Sequence, residues 1–203
     1  MTVRQIAISA AALLQADDIE AALAAADEET TETGETGENA NGGTASQISA
    51  IDDADVRTLI KCVNLAAAEL CLDGFPICRT REFTVTDGVI PLAAFAEQPS
   101  SVRSVKRYGV SVRYMFDSLG LKVPANGAYT VKYTVVPSDK NLDDDVETGA
   151  AADECILLFL VCRDYCLITG RTDEAQIWDQ RYGAESEKKR LSRRAQMGAR
   201  AWI

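Results

Sequence analysis

The order of apolar and polar positions divides the chain into helices, a β block and helices again. Val3, Ile6, Ala7, Ala10, Leu13 and Leu14 recur at helical spacing. Asp17 or Asp18 can cap a second short helix carrying Ile19, Ala22, Leu23 and Ala26. A third helix, started by Asp52 or Asp53, buries Val56, Leu59, Ile60, Val63, Ala67 and Leu70. Gly74 then suits a left-handed exit and Pro76 blocks continuation. From Phe83 the period changes to two. Asp87-Gly88 predicts a hairpin into Val89–Leu92. Val102 to Tyr108 reads as a strand turning at Gly109, and Val110, Val112 and Tyr114 alternate with polar residues. Leu119 to Val123 is short, and Asn126-Gly127 predicts a second tight turn. Tyr129, Val131, Tyr133 and Val135 alternate cleanly up to Pro137. Ala151 to Ile168 is apolar on most faces and predicts the central core helix, broken at Gly170. Thr172 can cap a last long helix with Ala175, Trp178 and Tyr182 on one stripe.

This order predicts an α+β fold: a helical bundle of N-terminal helices plus two C-terminal helices, with an inserted antiparallel β domain. The expected divisions are residues 1–78, 79–138, 139–187 and 188–203. The first holds the N-terminal helices and an insertion at 28–46. Glu28 to Ser46 is rich in Thr, Glu, Gly and Asn and too poor in apolar side chains to offset its ordering entropy, so it is expected to be flexible.

Charge sharpens the picture. The 203 residues carry a net charge of −10. Between Arg4 and Arg57 there is no basic residue, whereas from Lys188 onward six basic residues occur with no acidic one, and the sequence closes on Arg200-Ala201-Trp202-Ile203. A basic segment of opposite sign to an acidic body, tipped with Trp and Ile, is expected to dock on something. It can meet nucleic acid phosphates or an acidic protein surface. No apolar run is long enough for a membrane span. The first residues lack a convincing cleavage site, so a soluble chain made in the cytoplasm is expected.

Catalytic chemistry is sparse. There is no histidine, hence no side chain with an unperturbed pKa near neutrality. No glycine-rich phosphate loop or GxSxG elbow occurs. Cys155, Cys162 and Cys166 stand at helical spacing, and Cys62, Cys71 and Cys78 lie in or just after another helix. No CxxC pair is present, so buried reduced thiols are favoured over a metal or redox pair. Asp143-Asp144-Asp145 could meet a divalent cation, but reads more simply as a solvated loop. Tyr108, Tyr114, Tyr129 and Tyr133 near Arg103, Lys106, Arg107, Arg113 and Lys132 allow a nucleic-acid sheet; the alternation favours Tyr on a core face with Lys and Arg outside. The expectation is a non-enzyme with no catalytic residues, cofactor or metal.

Four stretches together resemble a known family. They are the helix ending Asn64-Leu-Ala-Ala-Ala-Glu-Leu-Cys-Leu-Asp-Gly-Phe-Pro-Ile77, the β block from Glu82 to Pro137, the helix pair joined by Leu167-Ile-Thr-Gly-Arg-Thr-Asp-Glu-Ala175, and the basic segment ending Arg-Ala-Trp-Ile. In this order, over residues 51–203, they resemble the head–tail connector (adaptor) proteins of tailed bacteriophages. The acidic insertion at 28–46 departs from that pattern. The resemblance implies a structural subunit of the phage neck, in a ring of commonly twelve copies under the portal, joining capsid to tail. Its partners would be the portal protein, neighbouring copies of itself and the next neck or tail protein. DNA would pass through the channel without sequence readout, and no membrane would be involved. Localisation would be the virion neck, after synthesis in the bacterial host cytoplasm. The portal-binding residues expected are Arg190, Arg193, Arg194, Arg200, Trp202 and Ile203. The alternatives are a tail-completion or stopper protein lower in the neck, and a DNA-binding protein using the basic C-terminal segment.

Overall fold

The computed structural model describes residues 1–32, 54–149 and 152–197. Among them the chain is α+β, with five α-helices and two antiparallel sheets. The helices are α1 (Val3–Leu14), α2 (Asp17–Glu32), α3 (Ala54–Leu72), α4 (Glu154–Ile168) and α5 (Thr172–Met197). The strands β1 (Ile77–Val85), β2 (Val89–Pro91), β3 (Pro99–Arg107), β4 (Val110–Ser111), β5 (Met115–Asp117), β6 (Gly120–Lys122) and β7 (Gly127–Val135) all fall between α3 and α4. The chain divides into a helical unit (residues 1–67, 138–146 and 151–203) and a β unit (residues 68–137 and 147–150). The β unit begins before residue 79 because Cys71 and Ile77 already pack into its core.

The helical unit is organised by apolar stripes. Thr2 caps α1 in a capping box with Gln5, and Gln15 ends it in the left-handed region (φ 55). Val3, Ile6, Ala7, Ala10 and Leu14 are buried, whereas Leu13 is exposed, one position outside the stripe. Arg4 is also buried. Its guanidinium donates to Asp143 Oδ1 through Nε (3.0 Å) and NH2 (2.8 Å), and to the Leu23 carbonyl through NH1 (3.3 Å). The Asp143–Asp145 loop is thus tied to α1, and Asp144 accepts from the Asn141 backbone N–H (2.8 Å). The second helix is longer than its apolar positions suggested: residues 28–32, expected within the insertion, are helical, and 33–46 lie outside the described residues.

In the β unit β1, β7, β3 and β4 form one sheet in that order, and β2, β6 and β5 a second. Strand β7 lies between β1 and β3, with Phe83 opposite Tyr129 and Val105 opposite Val131. Tyr129, Val131, Tyr133 and Val135 are buried with Phe83, Phe95 and Val105. Phe95 stands edge-on to Tyr133 at 5.0 Å and tilted to Phe83 at 4.8 Å. This places Tyr129 and Tyr133 on the core face and exposes Lys106 and Lys132.

Both turns expected between neighbouring strands prove to be crossovers. Asp87-Gly88 joins β1 to β2, which lie in different sheets, and only Gly88 has positive φ (70°). Asn126-Gly127 likewise joins β6 to β7. Strand β1 pairs along its full length with β7, because that register buries Phe83 and Val85; local turn chemistry does not decide it. The tight hairpins lie elsewhere. Tyr108 and Gly109, both at positive φ (51° and 80°), join β3 to β4. Ser118-Leu119 joins β5 to β6, with Asp117 accepting from the backbone N–H groups of Leu119 (2.9 Å) and Gly120 (3.3 Å). Past Ser111, the predicted alternation does not continue as strand to Tyr114.

Candidate docking site at the C-terminal helix pair

The two C-terminal helices meet through a short left-handed exit. Helix α4 ends at Ile168, Gly170 takes φ 79, and the Arg171 N–H returns to the Cys166 carbonyl at 2.7 Å. That bond is the six-to-one closure of a Schellman turn. It reverses the chain, so α5 runs antiparallel to α4. Thr172 is the first residue of α5 and Arg171 holds the position before it.

Contacts along the pair set the register. Near the turn the Cys166 thiol is 4.0 Å from Glu174 Oε2. Phe159 stacks on Trp178 at 5.9 Å, and the Arg181 guanidinium lies over the Trp178 ring at 4.7 Å. Arg163 donates to Asp164 Oδ1 through Nε (2.9 Å) and NH2 (2.7 Å) and lies 3.5 Å from Asp179. At the far end Lys189 pairs with Asp153, the N-cap residue of α4. Among the described residues the buried side chains of α5 are Ala175, Trp178, Tyr182 and Ser186, one stripe at helical spacing.

Helix α5 therefore outruns its partner. Eight residues follow Lys189 within the helix, about 12 Å at the helical rise. The predicted site residues distribute as follows. Arg190 is on this extension and exposed, as is Leu191. Arg193 and Arg194 lie within the helical span. Arg200, Trp202 and Ile203 lie outside the described residues. Sequence reasoning missed Lys189 and the role of Asp153 as its partner. The signal was available: a turn of a few residues between antiparallel helices puts the start of α4 opposite positions near 189.

Beside the pair is an open groove of about 540 Å³ lined by Arg163, Leu167, Thr172, Ala175, Gln176 and Asp179. Its two charged residues, Arg163 and Asp179, lie 3.5 Å from one another and Arg163 is also held by Asp164, so the groove offers shape but little chemistry. The buried thiols of the helical unit are equally quiet. Burial pushes Cys62 and Cys162 up to about 12, reinforced at Cys62 by Asp164 and Cys166 and at Cys162 by Cys166. All six cysteines are unpaired; Cys78 and Cys155 are exposed and the others buried. A buried thiol held protonated at neutral pH is a poor nucleophile. Among the described residues no three His, Cys, Asp or Glu side chains are grouped to hold a metal ion. No described helix is long and apolar enough to cross a membrane. Neither the protein-family models nor the curated proteins compared with this chain give a match.

Proposed function

We propose that the protein is a structural subunit of a tailed-phage neck, an adaptor that assembles as a ring under the portal and joins capsid to tail. The observation that carries this reading is the continuation of α5 beyond α4. A helical arm, basic from Lys188 onward, extends from a chain of net charge −10. By spacing, positions 190, 193 and 194 fall on one face of that helix. Arg190, Arg193, Arg194 and Arg200 supply charge for an acidic surface on the portal, and Trp202 and Ile203 supply an apolar anchor. The acidic body suits a channel through which DNA slides without sticking. No catalytic role is proposed.

The test is co-expression with the portal protein of the same phage, affinity capture and negative-stain imaging. A ring stacked on the portal supports the reading. Trp202→Ala with Ile203→Ala is expected to abolish capture while leaving the helical content unchanged. Undiminished capture by that double variant overturns the docking assignment. Absence of capture by the wild-type chain moves the reading to a stopper lower in the neck. Steeply salt-dependent DNA binding through the basic segment would favour the DNA-binding alternative.

A further inference from the structure

We draw no further inference here: the strongest candidate, the exposed stripe of Ile177, Ala184 and Leu191 on the side of α5 opposite its buried residues, carries nothing because no feature of the structure shows what covers it, the flanking cations Arg181 and Lys188 being engaged within the helix by Trp178 and Glu185.

Discussion

Trp178 is the residue on which the position of α5 depends most. Between Thr172 and Lys189 the helix buries three apolar side chains, Ala175, Trp178 and Tyr182, and Trp178 is the largest. It is 8% exposed, stacked on Phe159 and covered by Arg181. A buried indole removes on the order of 200 Å² from water, worth about 5 kcal/mol at the usual coefficient. Alanine retains a little of that, and partial collapse of the site recovers more. Trp178→Ala should therefore cost about 3–5 kcal/mol, a third or more of a typical domain's stability. Urea unfolding followed by far-ultraviolet circular dichroism measures it. A smaller denaturant slope in the variant would report that α5 has already detached in the native state. Portal capture should fall with it although every basic residue is intact, because the stripe aims the arm. A loss below about 1 kcal/mol with unchanged slope would refute the idea that this stripe holds the helix.

Three further outcomes follow from local geometry. Gly170→Ala isolates the cost of a left-handed exit, since φ is 79 and an added Cβ meets nothing within 4 Å; about 1 kcal/mol is expected from urea midpoints. Gly120→Ala should cost about 3 kcal/mol, because φ is 143 and its Cβ would stand 2.3 Å from the Ile90 carbonyl oxygen, forcing β2 and β6 apart. The pKa values of Cys62 and Cys162 are raised in the folded state, so their contribution to stability is whole below the ordinary thiol range and is lost as pH rises from about 9 toward 12. Unfolding midpoints measured up that range should fall for the wild type and flatten in Cys62→Ala with Cys162→Ala; an identical alkaline decline in both would refute the assignment.

What could be read from the sequence follows the range of the forces involved. Helix α3 was legible because Val56, Leu59, Ile60, Val63, Ala67 and Leu70 repeat on one face, and all six are buried. Its end was legible too: Gly74 has φ 111 and the Phe75 N–H closes on the Leu70 carbonyl at 3.2 Å. Strand β7 announced itself by alternation, and it is paired on both sides. Pairing between strands was not legible. Asp87-Gly88 has the composition of a hairpin, yet β1 and β2 separate because Phe83 and Val85 find their partners on β7, at Tyr129 and Gly127. The true hairpin apex, Tyr108-Gly109, lacks the Asn or Asp that signals such a loop. At the candidate site the change of charge after Glu187 was plain, whereas the overhang was not. It depends on the register of α5 against α4, which the Gly170 turn and the Lys189–Asp153 pair determine together.

The distribution of cations bears on the docking proposal. In a chain with thirty-one Asp and Glu against twenty-one Lys and Arg, a cation does not stay unpaired for want of carboxylates. Arg163 illustrates the ordinary case: half-buried between α4 and α5, it takes two carboxylates and settles the packing of its own unit. The α5 extension carries its cations beyond Ser186, the last buried residue of the stripe among the described residues. That placement raises the self-energy of exposed positive charge only slightly in water, so folding does not select against it. Folding does not select for it either. If the arm serves a portal, Arg190→Glu with Arg193→Glu and Arg194→Glu should remove the salt-sensitive part of portal capture while circular dichroism and unfolding midpoints hold. Capture that kept the wild-type salt response in that folded variant would mean that the attraction comes from the field of the whole chain and not from the arm.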